Sequence, residues 1–184
     1  STLVKEAKAS MQRGVDFLVD QQKEDGSWLH HTAVTGLVCM ALHQSGTDTR
    51  VPQRREAVER GREYILKHVR ADGAIAKEES DYGVYSTAIC LSTLAVLNRP
   101  DDRDVMRRAR HFLLDMQLDE DHPQHPTTPD DPFYGGIGYG SDGPKRPDLS
   151  NTQWALEALY LTRDLDTESD KVSREYQRKS RLAW

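Results

Sequence analysis

An amphipathic stripe that runs into a glycine turn returns along this chain at a nearly fixed interval, and few folds accept such a period. Met11, Val15, Leu18 and Val19 fall at i, i+4, i+7 and i+8, which is one face of a helix. The stripe leads through Gln22 to Asp25-Gly26, where glycine takes a left-handed conformation at low cost, and then to Trp28. Gly61, Tyr64, Ile65, Val69, Gly73 and Ile75 repeat Gly14, Phe17, Leu18, Gln22, Gly26 and Trp28, each 47 residues later. Ala109, Phe112, Leu113 and Gln117 open a third copy 48 residues after the second, with a long loop in place of its glycine turn. Each copy leads into a more continuously apolar segment, at 36–42, 88–97 and 154–161. Stacked helical hairpins satisfy this pattern, with amphipathic helices outside and apolar ones, which need cover on most sides, inside.

The expected elements follow in order. Outer helices cover about 3–21 and 53–69, and a third begins at Asp101-Asp102, where carboxylates suit the helix dipole. Inner helices cover about 31–44 and 84–98, the latter stopped by Asn98-Arg99-Pro100, and a third begins at Ser150. Ser150-Asn151-Thr152-Gln153 has the form of a capping box. Residues 118–149, rich in Asp, Pro and Gly, form the one long irregular stretch, and such lengths inside a compact domain are functional or disordered. Thr167 opens a seventh, nearly all-polar helix. The domain reading is three hairpins within 1–166, at about 3–50, 51–99 and 100–166, and a terminal helix over 167–184 that degenerately starts a fourth.

A chain of 184 residues suits a single domain with a real core. With 30% charged residues and a net charge of −5, nothing favours nucleic acid as a partner. No apolar run approaches the roughly 20 residues that a transmembrane helix needs. The chain opens with Ser1 rather than Met, so a missing leader says nothing about compartment. Cys39 and Cys90 sit in corresponding inner helices and read as buried thiols, with a pair touching across neighbouring helices as the alternative.

The stretch Gly14-x-x-Phe17-Leu18-x-x-x-Gln22-x-x-x-Gly26-x-Trp28 resembles the QW motif of squalene–hopene and related terpenoid cyclases. The wider frame, over about residues 8–163, resembles prenyltransferase and squalene-cyclase repeats. The first copy matches in full, the second has Val69 and Ile75 for Gln and Trp, and the third keeps only its helix half. The resemblance implies an all-α fold, an α/α-toroid or half-toroid of antiparallel helical hairpins. It also implies structural roles for Gly14, Phe17, Gln22, Gly26 and Trp28, with Gln and Trp tying adjacent helices. About six hairpins close the toroid in that family, and three would leave inner-helix surface bare. Further repeats, a homodimeric partner or a shortened closure would complete the ring.

The family's Asp-x-Asp-Asp motif protonates its substrate through a carboxylic acid that burial and neighbours keep neutral. The nearest segment is Asp119-Glu120-Asp121-His122, so Asp119 and Asp121 are the candidate acids. Asp130-Asp131, between prolines, reads as a turn, and Asp101-Asp102-Arg103-Asp104 lacks the spacing of an Asp-Asp-x-x-Asp metal box. Protein prenyltransferases hold zinc with Asp, Cys and His, and neither cysteine here has an acidic residue two positions before it. His30-His31 would diverge on a helix and His122 and His125 flank Pro123, so no metal or other cofactor is expected. Gly138-x-Gly140-x-x-Gly143 has a dinucleotide-binding spacing but no strand before it, and it runs into Pro144. Phe133, Tyr134, Tyr139 and Trp154 are candidates to line a site for an apolar ligand, since aromatic faces stabilise cations; a simple cap on the core is the alternative. Asp148, Tyr82 and Tyr85, at the starts of inner helices, would face the same opening in a toroid.

The expected function is therefore terpenoid-cyclase-like, the binding or cyclisation of an isoprenoid or other lipophilic ligand. The alternative is a non-catalytic protein-interaction or dimerisation module of the same fold. A carbohydrate-active barrel needs two carboxylates about 5–10 Å apart across a cleft, and no spacing among the acidic residues selects a pair.

Overall fold

A computed structural model describes residues 2–46, 50–77, 82–139 and 147–165. These residues form six α-helices and no strand, so the fold is all-α. The chain divides into two compact units, Ser1–His68 and Val69–Trp184. The expected helix over 167–184, and Gly140 and Gly143 of the glycine-rich stretch, lie outside the described residues.

The first unit holds α1 (Thr2–Asp20), α2 (Thr32–Gln44) and α3 (Val51–Lys67). α2 lies against α3, and α1 touches both. α3 starts two residues before the expected position because Pro52 fits the first turn, where a missing N–H leaves no bond unmade. Its buried face carries Ala57, Val58, Gly61, Tyr64 and Ile65. Gly61 marks the closest approach of α2: a Cβ there would run into Cys39 Sγ and reach within 3.2 Å of the Trp28 ring. Cys39 is buried, and its Sγ donates to the Val58 carbonyl at 3.8 Å. Burial, with Glu59 nearby, pushes its thiol up to about 12. α1 differs from its sequence stripe: Val15 is buried and Leu18 and Val19 are half-buried, but Met11 and Phe17 face outward.

The second unit holds α4 (Gly83–Leu97), α5 (Arg103–Asp115) and α6 (Leu149–Leu161), with 3-10 turns at Pro100–Asp102 and Arg163–Leu165. α4 lies against both α5 and α6 and is buried along most of its length. Asp101 and Asp102 belong to the 3-10 turn that Pro100 begins, rather than to the first turn of α5. α6 is capped by Asp148, not Ser150: Asp148 is extended (φ −129, ψ 161) and its Oδ1 accepts from the Asn151 N–H at 2.9 Å. That geometry suits a short carboxylate at the N-cap and draws Ser150 into the helix. At the other end of α6, buried Arg110 donates to the Leu159 carbonyl at 2.6 Å and to Thr162 Oγ1 at 3.3 Å. A cation there sits at the negative end of the helix dipole.

The turns after α1, α3 and α5 share one construction. In the first, the Lys23 N–H donates to the Ser27 carbonyl (2.8 Å) and the Gly26 N–H to the Lys23 carbonyl (3.0 Å). In the second the same pair is Arg70 to Ala74 (2.8 Å) and Gly73 to Arg70 (3.1 Å). In the third it is Leu118 to Gly136 (2.9 Å) and Gly135 to Leu118 (2.7 Å). The glycines have φ of +87, +92 and +80, where a side chain would be strained. Two residues on, the amides of Trp28, Ile75 and Ile137 donate to the hydroxyls of Thr35 (3.1 Å), Thr87 (2.8 Å) and Thr152 (3.3 Å). The third glycine turn is therefore retained rather than replaced. Lys23 and Gly26 are 3 residues apart, Leu118 and Gly135 are 17 apart, and the extra loop of the third copy sits inside its turn.

Gln22 and Trp28 tie the first turn to its surroundings. Gln22 Nε2 donates to the Gly26 carbonyl (2.9 Å) and to Ala57 of α3 (2.8 Å), and Trp28 Nε1 donates to the Leu18 carbonyl of α1 (2.8 Å). Gln117 Nε2 repeats the first of these with Gly135 (3.0 Å). Val69 lacks the amide and keeps only the backbone pairing with Ile75 that Gln117 also makes with Ile137.

A Cβ on Gly26 would lie 2.5 Å from the Arg60 carbonyl oxygen, and one on Gly73 equally close to that of Arg108. Gly135 has open space. Urea unfolding should therefore rank the three: Gly135→Ala loses only the left-handed preference, about 1–2 kcal/mol. Gly26→Ala and Gly73→Ala should lose more, about 3 kcal/mol, because a helix backbone must also shift.

Candidate functional site

The sequence candidates in the second unit separate into two groups. One gathers where the first turns of α4 and α6 lie side by side. Tyr82 is the residue before α4 and Tyr85 lies within its first turn, while Asp148 caps α6 and Trp154 follows in its second turn. Tyr82 meets Tyr139 edge to face at 5.6 Å between ring centroids, and Tyr85 meets Trp154 likewise at 6.4 Å. Tyr139 follows the Ile137 amide that Thr152 holds, so the third turn aims this ring at the helix starts.

Asp148 is the charged member of the group. Partial burial pushes its carboxyl up, but hydrogen bonds from the Asn151 N–H, the Asn151 side-chain amide, the Ser150 N–H and the Tyr139 hydroxyl outweigh that effect. The carboxyl is held below its ordinary range and is ionised at neutral pH. Asn151 is buried, and its Nδ2 reaches Asp148 Oδ2 at 2.7 Å. Tyr139 is the ring that touches the anion, Tyr82 lies against Tyr139, and Tyr85 and Trp154 form a second pair on the same two helices. Aromatic faces beside a fixed carboxylate suit a cation or an electron-poor carbon. An ionised carboxylate cannot hand over a proton.

The other candidates lie in the loop inside the third turn. Asp119 is 1% exposed, and there its Oδ1 accepts from the Asp121 N–H at 2.9 Å. Its carbonyl accepts from the Thr127 N–H at 2.8 Å, so this residue organises the loop. Its Oδ2 is buried with no hydrogen-bond partner among the described residues. Asp121 is exposed. Phe133 is held by its N–H on Asp131 Oδ1 (2.7 Å), and the Tyr134 hydroxyl donates to Glu120 (2.9 Å), which anchors both rings to the acidic loop.

His122 is buried, and its Nδ1 accepts from the His125 N–H (2.9 Å) and the Gln124 N–H (3.2 Å). These bonds fix the ring of His122 through Nδ1 against the backbone of the loop. In the first unit, His30 and His31 precede α2 rather than lying on it, and His30 Nδ1 meets Asp25 Oδ2 at 2.9 Å. The Asp25 carboxyl is held far below its usual range, first by the Ser27 hydroxyl and then by the Ser27 N–H and His30. Among the described residues no group of three or more His, Cys, Asp or Glu side chains could hold a metal ion.

Two sets of residues escaped sequence reasoning. The tethering threonines stand 7, 12 and 15 residues after Trp28, Ile75 and Ile137, and that variation hid them. Asn151 was visible only as part of a capping box, although its spacing of three from Asp148 is that of a helix N-cap.

Replacing Asp148 by Ala should cost about 1 kcal/mol at pH 7, the usual value of an N-cap. Because folding lowers this pKa, the contribution is complete above the unfolded value near 4 and fades as pH falls through the folded value. The gap between the parent and Asp148→Ala in thermal unfolding should therefore close on acidification. Comparison of the sequence with protein-family models and with curated proteins, and of the fold with solved structures, finds no match.

Proposed function

We propose that the chain is a helical-hairpin repeat domain of the terpenoid-cyclase type, its hairpins set around an opening, that binds a lipophilic ligand at the first turns of α4 and α6. The observation that carries this reading is the ionised Asp148, hydrogen-bonded by Tyr139, which lies against Tyr82, with the Tyr85–Trp154 pair on the same two helices. An isoprenoid or similar apolar chain would lie along the aromatic edges, and a positive or electron-poor centre would sit nearest Asp148. Binding rather than cyclisation follows from the charge state. The carboxylate in the cluster stabilises a cation and is not a proton donor at neutral pH.

Cyclisation would draw its proton from Asp119 or Asp121 instead. The double variant Asp119→Asn/Asp121→Asn keeps an acceptor for the Asp121 amide. On the binding reading its ligand affinity is unchanged. A cyclic product made by the parent and lost in the double variant would assign catalysis to that loop.

Titration with an isoprenoid tertiary amine and with the matching alcohol, followed by calorimetry, tests the site directly. The protonated amine should bind at least about tenfold tighter than the alcohol, a difference of about 1.4 kcal/mol. Asp148→Asn should erase that preference, and Trp154→Ala should weaken both ligands. Absence of saturable binding by either ligand would overturn the proposal. A non-catalytic interaction module is favoured by a separate observation, the bare apolar face of α1.

A further inference from the structure

We propose that α1 is a dimerisation helix that pairs antiparallel with α1 of a second copy of this chain. The repeat identifies the face. Ser10, Met11, Gly14 and Phe17 stand where α3 has Ala57, Val58, Gly61 and Tyr64, and where α5 has Val105, Met106, Ala109 and Phe112. Val58 is 5% and Met106 4% exposed, against 52% for Met11. Tyr64 is 4% exposed, against 63% for Phe17. At Gly61 an added Cβ would collide with α2, whereas at Gly14 it would meet nothing within 4 Å. The face on which α3 carries α2 is thus uncovered in α1. Leu3 and Val4, both exposed, and Ala7 extend it along the helix.

The face is complementary to itself. In the antiparallel register that sets Phe17 against Val4 of the other copy, Leu18 meets Leu3, Gly14 meets Ala7 and Met11 meets Ser10, each pair occurring twice by symmetry. The small pair Gly14–Ala7 lets the two backbones approach closely. Glu6 and Arg13 lie on one flank of the stripe, and the same register brings Glu6 of each copy beside Arg13 of the other. An apolar stripe of this length rimmed by charge is the ordinary mark of an association surface. A second copy is the partner that satisfies both the apolar pairs and the charged flank.

The test is sedimentation equilibrium of the full chain from about 1 to 200 µM, the range in which micromolar association registers. The parent should dimerise. Gly14→Leu should weaken the dimer at least about tenfold without lowering the thermal midpoint, since the position is open in the monomer and Leu favours a helix. Ser10→Cys lies beside the twofold axis and should give a covalent dimer on oxidation, whereas Asp16→Cys, on the other side of α1, should not. Cys39 and Cys90 are buried and leave this readout clean. A monomer at every concentration would overturn the proposal, as would a dimer that Gly14→Leu leaves intact and Ser10→Cys fails to cross-link.

Discussion

A single hydrogen bond recurs three times in this molecule, from the amide two residues after a turn glycine to the hydroxyl of an inner-helix threonine. Trp28 to Thr35, Ile75 to Thr87 and Ile137 to Thr152 are its three instances. Each fastens the exit of a glycine turn to the first turns of the helix that follows. The donor amides of Trp28 and Ile75 are buried, so without the threonine an unpaired N–H would remain in a dry environment. The left-handed glycine makes the turn short enough for the bond to form. In the first two turns it also lets the chain touch the backbone of the next outer helix, at Arg60 and at Arg108. Local turn chemistry and helix packing are thus one constraint.

The same constraint places the candidate site. The third turn accepts a long acidic loop between Leu118 and Gly135 yet closes with the same bonds, so the chain leaves it in register. Tyr139 then follows directly and turns toward Tyr82 and Asp148. Asp148 in turn caps α6 and takes its charge state from Asn151, Ser150 and Tyr139. A residue that begins a helix also supplies the only carboxylate described within the aromatic group. The helix cap and the proposed ligand site therefore share this position, and Asp148→Asn separates them, because Asn caps a helix about as well as Asp but carries no charge.

Much of this architecture was legible in the residues. The period can be read from Gly14, Gly61 and Ala109, and at Gly61 close packing requires the small residue, as its approach to Cys39 shows, whereas Gly14 meets nothing. Gln22 and Trp28 hold the first turn through hydrogen bonds to Ala57 of α3 and Leu18 of α1. The third turn was not legible. Its glycine stands 17 residues from Leu118, and no local signal marks a loop inserted inside a conserved set of backbone bonds. The burial of Asp119 and His122 was hidden for a related reason: their partners are backbone amides a few residues on, which composition does not reveal. Within the site, Tyr82, Tyr85, Tyr139, Asp148 and Trp154 could be assembled in advance only through the expected equivalence of inner-helix starts. Phe133 and Tyr134 belong with the acidic loop because Asp131 and Glu120 hold them there.

Amide hydrogen exchange, read residue by residue, tests the threonine tether most directly. The account predicts that the amides of Trp28, Ile75 and Ile137 exchange as slowly as those inside the helices they are fastened to, although all three lie in turns. Exchange of these amides at the rate of the neighbouring loop residues would contradict it, and the shared construction of the three turns would then no longer explain the repeat.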